Sequence, residues 1–129
     1  MEEFFRTNVE KYLPNISKYI KTLPPFDFGP RPQELVGITS GFAIELEDPD
    51  GEYVYYGEIL NTDNEIMCGK GIRVWIKGEA KAILIGWFRN NIFSGLGRNI
   101  FENNLQHYDG EFFKFKYHGK GTIKYGDKR

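Results

Sequence analysis

The chain reads as a mainly β protein: an elongated, single-layer antiparallel sheet of consecutive hairpins, preceded by a short helical segment. Three observations predict this. A glycine followed nine residues later by a Gly-x-Gly pair occurs twice: Gly86 before Gly95-Leu96-Gly97, and Gly110 before Gly119-Lys120-Gly121. Gly57 precedes Gly69-Lys70-Gly71 in the same way with three extra residues. The second glycines, Gly71, Gly97 and Gly121, stand 26 and then 24 residues apart, and four residues beyond each lies an aromatic: Trp75, Phe101 and Tyr125. That period suits two short strands and two turns. Self-similarity at a fixed period marks an array of stacked units, none of which buries its apolar face alone.

Residues 1–23 read as an amphipathic helical segment. Phe5, Val9, Leu13, Ile16, Ile20 and Leu23 recur at steps of three or four and make one apolar stripe. Pro14 lacks a backbone donor and disfavours helix at Leu13, so two short helices, or one kinked helix, should meet there. The polar side carries Arg6, Glu10, Lys11, Lys18 and Lys21, nearly balanced by Glu2 and Glu3, which favours packing on protein over a membrane surface. Residues 24–35, with Pro24, Pro25, Pro30 and Pro32, form a stiff extended linker, and Phe26 and Phe28 are its candidate anchors. The array occupies residues 36–129.

Within the array the hydrophobic period is two. Phe42-Ala43-Ile44-Glu45-Leu46 alternates as a half-buried strand, and Asp48-Pro49-Asp50-Gly51 reads as a turn rather than a calcium loop. Two residues before each leading glycine stand Tyr55, Leu84 and Tyr108; two after stand Ile59, Phe88 and Phe112. These positions share a strand face, and glycine between bulky neighbours leaves room for a ring or another backbone. Polar tips follow at Arg89-Asn90-Asn91 and Lys114-Phe115-Lys116, with a longer tip around Asp63-Asn64-Glu65. Rings of adjoining units are expected to form a ladder.

The pattern Tyr108-Asp109-Gly110-Glu111-Phe112, then Gly119-Lys120-Gly121 and Tyr125, resembles a MORN repeat almost throughout. The second unit departs from that pattern at Leu84 and Trp87, where Tyr and Glu are usual. The first keeps Tyr55, Gly57, Glu58, Gly69 and Gly71 but carries the insertion, and a half-unit precedes it around Gly41 to Leu46. The resemblance spans about residues 41–129. Its defining residues are Tyr55, Gly57, Gly69, Gly71, Trp75, Gly86, Phe88, Gly95, Gly97, Phe101, Tyr108, Gly110, Phe112, Gly119, Gly121 and Tyr125. It implies a structural or scaffold subunit of a larger assembly, cytoskeletal or ciliary in type, and a fold marker of this kind says less about function than about architecture.

At 129 residues the chain holds one domain and an appendage, and its net charge of −1 hides an uneven distribution. Eight acids and no Lys or Arg lie in residues 41–68; six bases, Lys114, Lys116, Lys120, Lys124, Lys128 and Arg129, lie in 111–129 against Glu111 and Asp127. One end is acidic and the other basic, an asymmetry that steers partners. The single Cys68 forms no internal disulfide, and Met1-Glu2-Glu3 opens without an apolar signal core, so a cytoplasmic location is expected, cytoskeletal or ciliary by the resemblance.

No enzymatic constellation is read. His107 and His118 lack neighbours at metal-ligand spacing, and Gly95-Leu96-Gly97-Arg98 lacks the Lys-Ser/Thr and helix of a phosphate loop. Trp75, Trp87, Phe93 and Tyr117 have base-stacking character, but the acidic start of the array speaks against nucleic acid. No cofactor is expected. The expected role is non-enzymatic docking of partner segments, with Tyr55, Trp75, Trp87, Phe88, Tyr108 and Phe112 as candidate contacts and self-association through an open sheet edge. The alternative is a peripheral adaptor binding anionic phospholipid through Lys114, Lys116, Lys120, Lys124, Lys128 and Arg129. A third role, regulatory companion to a catalytic partner, follows from the resemblance.

Overall fold

The computed structural model describes residues 1–38, 40–60 and 65–125. Seven strands, β1 (Gly41–Glu47), β2 (Tyr53–Leu60), β3 (Ile66–Trp75), β4 (Ala82–Arg89), β5 (Ile92–Phe101), β6 (Gln106–Phe113) and β7 (Lys116–Tyr125), lie side by side in chain order. Every neighbouring pair is antiparallel, which gives one open sheet of consecutive hairpins, as the period implied. Strand β1 is the half-unit read around Gly41 to Leu46. The longer tip at Asp63-Asn64 lies outside the described residues.

Two tips have both central residues at positive φ: Asn90 and Asn91 at 50° and 71°, Lys114 and Phe115 at 49° and 69°. This backbone matches the right-handed twist of the flanking strands. Asparagine adopts it cheaply; Lys and Phe do not. Docking onto the previous unit supports the second tip: the Phe115 N–H donates to Phe93 O at 2.9 Å and the Lys114 N–H to Ser94 Oγ at 2.9 Å. The Asn91 N–H likewise donates to Met67 O at 2.9 Å, so each described two-residue tip latches onto the preceding return strand. The Asp48 turn holds β1 to β2: its carboxylate accepts the N–H of Glu52 at 2.6 Å and of Tyr53 at 2.8 Å.

The glycines line up. Across the sheet Ala43 faces Gly57, Gly57 faces Gly71, Gly71 faces Gly86, Gly86 faces Gly97, Gly97 faces Gly110, and Gly110 faces Gly121. This row crosses all seven strands and leaves a furrow into which rings lie flat. A Cβ at Gly57 would stand 2.5 Å from the Gly71 Cα, and one at Gly110 2.6 Å from the Lys120 carbonyl oxygen.

The N-terminal third covers the opposite face. The chain starts as α1 (Glu2–Phe4) and continues as a π-helical stretch, Phe5–Glu10; α2 (Pro14–Ile20) follows a break at Leu13, whose φ of −128° and ψ of 66° are non-helical. The expected junction is therefore where Pro14 puts it, with Pro14 in the first turn of α2. The π winding alters the stripe. Hydrogen bonding from i to i+5 sets Phe4 rather than Phe5 in register with Val9, and Phe4, Val9, Leu13 and Ile16 are the buried apolar residues of the helices. They pack on Val54, Val74, Ile83, Ile85 and Ile100 of the sheet. Glu102, in the loop between β5 and β6, caps α2 from outside: its carboxylate accepts the N–H groups of Asn15 and Ile16, each at 2.9 Å.

The proline-rich stretch runs over the same face. Phe28 meets Trp87 edge-on at 5.8 Å, and the Trp87 indole N–H donates to the Phe28 carbonyl at 2.8 Å. Leu35, in a 3₁₀ turn (Gln33–Leu35) that the periodicity did not signal, is buried with Cys68 and Trp87.

The furrow makes a stability prediction. Gly121→Ala places its new methyl inside the Tyr108 ring, and Gly71→Ala inside the Tyr55 ring. Each should lower unfolding free energy by about 1–3 kcal/mol in chemical denaturation. An unchanged denaturation midpoint would count against the register.

Candidate functional site

The face not covered by the N-terminal third is built from rings. Tyr55, Ile59, Met67, Leu84, Phe88, Phe93, Tyr108 and Phe112, with Ala43 of β1, form its buried hydrophobic cluster. Contacts run strand to strand: Tyr55 to Phe88 at 5.1 Å, Phe88 to Phe93 at 5.0 Å, Phe93 to Phe112 at 4.7 Å, and Phe112 to Tyr108 at 5.2 Å. Most are edge-to-face or tilted, the arrangement that ring quadrupoles favour. The expected ladder is present.

Three rings fill the glycine furrow: Tyr55 over Gly71, Phe93 over Gly97 and Tyr108 over Gly121. The two tyrosines are tethered identically. The Tyr55 hydroxyl donates to the Glu58 carbonyl at 2.8 Å and that of Tyr108 to the Glu111 carbonyl at 3.0 Å. Burial pushes the Tyr55 phenol well above its ordinary pKa, with the Glu58 charge adding to the shift. In the second unit Leu84 occupies the tyrosine position, and Phe93 supplies the ring from the return strand instead. Phe93 precedes Gly95 by two residues, as Tyr117 precedes Gly119, and Tyr117 stacks on Tyr108 at 3.9 Å. That equivalence was the available signal for Phe93.

Of the candidate contacts, Tyr55, Phe88, Tyr108 and Phe112 lie in the interior of this face, each 4% exposed or less. Their rings are consumed by the furrow and the ladder. Trp87 is on the opposite face beneath Phe28, because it stands one residue out of step with the furrow. Trp75 is half-buried at the rim. Trp75 and Phe101 both pair with Ala82, so two aromatic walls flank a floor one methyl high. With Leu84, Asn99, Phe112 and Phe115 they enclose a groove of about 320 Å³, within the size range of ligand sites. Tyr125 shares this face at the far edge and is 61% exposed. Ala82, Asn99 and Phe115 carried no sequence signal, since a small floor and a folded-over tip depend on register.

Beside the groove Arg73 is 6% exposed and lies 4.1 Å from the centre of the Tyr53 ring, with Trp75, Phe88 and Phe115 also within cation–π range. Burial lowers its pKa, opposed by Tyr53 and Tyr55, and a guanidinium stays charged regardless. Among the described residues its Nε has no hydrogen-bond partner. Arg73 thus puts a positive charge under an aromatic surface.

On the helix-covered face a second polar cluster joins the N-terminal third to the end of the array. The Tyr19 hydroxyl lies 3.0 Å from His107 Nδ1, His107 Nε2 lies 2.9 Å from Asp109 Oδ1, and Arg98 pairs with both Asp109 oxygens at 2.8 and 3.2 Å. Arg98 also donates to the Pro24 carbonyl at 3.2 Å. The approach of Nε2 to Asp109 is close but poorly aligned for a hydrogen bond. His107 is 2% exposed, so this chain of groups works as a clamp under the helix. No group of three or more metal-ligating side chains occurs among the described residues. Lys114, Lys116, Lys120 and Lys124 lie on β7 and its turn; Lys128 and Arg129 lie outside the described residues.

Compared with protein-family models and with curated proteins, the chain matches none.

Burial opposes the charge on Asp109, but His107 and Arg98 outweigh it and hold the carboxyl down to about 2. A depressed carboxylate contributes stability that is present above its unfolded-state pKa of about 3.9 and lost as pH falls through the folded value. Asp109→Asn should therefore be less stable than wild type at neutral pH. The gap should narrow between about pH 4 and pH 2, as read by urea unfolding at a series of pH values.

Proposed function

We propose that this chain is a MORN-type repeat protein that acts without chemistry of its own, as a scaffold holding a partner segment in a larger assembly of the cytoskeletal or ciliary kind. One observation carries the reading: the open face presents a groove walled by Trp75 and Phe101 over the Ala82 floor, while the N-terminal third is spent covering the other face. Aromatic walls in a shallow apolar cleft, rimmed by a polar Asn99, are what an apolar side chain of a docked peptide or helix fills. Repeat equivalence supports the MORN resemblance: paired glycines, tethered tyrosines in the first and third units, and an aromatic four residues past each second glycine.

A second reading, a peripheral adaptor on anionic phospholipid, is favoured by the shared position of Lys114, Lys116, Lys120 and Lys124 at one end of the sheet. Each such cation adds about 1 kcal/mol near an anionic leaflet. No helix of the described residues is long and apolar enough to cross a membrane.

Two measurements separate the readings. Peptides selected from a displayed random library on the wild-type protein should lose binding to Ala82→Leu, which fills the groove floor, while circular dichroism of the variant stays unchanged. Selected peptides that bind both proteins equally would sink the groove as the docking site. Sedimentation with phosphatidylserine vesicles at low salt tests the lipid reading, and no co-sedimentation there ends it.

A further inference from the structure

Strand β7 is unlike the other strands: all ten of its residues are exposed. One side pairs with β6, from Gln106 opposite Tyr125 to Phe113 opposite Lys116. Its other side meets no strand among the described residues. Among the described residues, the row of backbone N–H and C=O groups on that side therefore has no strand partner.

The array itself shows what such an edge accepts. β3, β5 and β7 are equivalent return strands, each irregular where its Gly-x-Gly meets its own hairpin partner. The outer sides of β3 and β5 are regular, and each receives an antiparallel strand in one register. On β3, Gly69 faces Phe88, Lys70 faces Trp87, Gly71 faces Gly86 and Arg73 faces Leu84. On β5, Gly95 faces Phe112, Leu96 faces Glu111, Gly97 faces Gly110 and Asn99 faces Tyr108. Transferred to β7, this register sets an aromatic against Gly119, a glycine against Gly121 and a large residue against Ile123. In both precedents the residue facing the second glycine is itself a glycine, Gly86 opposite Gly71 and Gly110 opposite Gly97.

Charge specifies the remaining positions. Alternation puts Lys116, Lys120 and Lys124 together on the face opposite Tyr117, Ile123 and Tyr125. Lysines on an edge repel indiscriminate pairing and select an acidic strand. The opposite edge, β1, is a poorer template: a bulge breaks its ladder between Ala43 and Leu46, and Glu45 lies against Asn8 of the N-terminal helix.

We infer that β7 is a docking edge for an extended acidic segment of a partner protein, which adds as an eighth antiparallel strand with the pattern large–acidic–glycine–acidic–aromatic. The inference deepens the scaffold reading and rests on it, but it concerns a different surface from the groove.

The probe is a labelled peptide with the β6 sequence Gln-His-Tyr-Asp-Gly-Glu-Phe-Phe, which carries that pattern, titrated at low salt against the full chain by fluorescence anisotropy. Saturable binding is expected. It should weaken on the order of tenfold with Lys120→Glu/Lys124→Glu, whose exposed side chains leave folding intact. Valine in place of the peptide glycine should weaken it similarly. N-methylation of alternate peptide nitrogens should abolish binding in one set and spare it in the other, since only one set faces β7. No binding, or binding indifferent to both the glycine and the methylation set, overturns the proposal. So does loss of vesicle binding in the lysine variant without any peptide binding to wild type, which would assign the lysines to membrane. Ala82→Leu should bind this peptide unchanged, so failure at the edge and failure at the groove are told apart.

Discussion

Everything in this fold depends on the row of small residues across the sheet. Rings need room to lie against a backbone, and only a strip without side chains provides it. Ala43 and six glycines supply that strip, one per strand, and Tyr55, Phe93 and Tyr108 lie along it. A single-layer sheet normally lacks a second layer to bury its apolar face. Here the rings fold down onto their own sheet and serve as that layer. The face not covered by the helices can then hold residues as buried as Phe88 and Phe93 with no helix above them.

The other face is solved differently. Val54, Val74, Ile83, Ile85 and Ile100 are β-branched side chains that stand up from the sheet rather than lie along it, and they require a cover. The two short helices and the proline-rich stretch provide it. The polar clamp of Tyr19, His107, Asp109 and Arg98 and the Glu102 cap fix that cover near the far end of the array. Neither helix exceeds about three turns, so their stability comes from this docking more than from propensity.

Much of the architecture was legible because the repeat repeats. Spacing of glycines and aromatics gave the hairpins, the two tips and the residues sharing a face, and Pro14 gave the helix break. What depended on register was not legible. The glycine of one unit faces the glycine of the next only after strands pair, so the continuous furrow, Phe93 as the substitute ring and the Ala82 floor were hidden. The same limit explains why Tyr55, Phe88, Tyr108 and Phe112, attractive as contacts, lie in the interior. A bulky ring beside glycine signals nesting as strongly as recognition. The π-helical turn was also hidden, since a step of five from Phe4 to Val9 competes with the step of four from Phe5. Arg73 and the Tyr19–His107 contact join residues far apart in sequence, and no local pattern announces them.

The N-terminal third touches the sheet at widely separated strands: Asn8 reaches Glu45 on β1, Arg98 on β5 grips Pro24, and Tyr19 meets His107 on β6. Seven strands at about 4.8 Å spacing span roughly 29 Å. A lone ribbon of that width flexes and coils readily, whereas a diagonal brace fastened at both ends resists torsion. The molecule is thereby stiffened like a panel with a cross-strut, and a load applied at one margin would be transmitted to the other instead of being absorbed as twist.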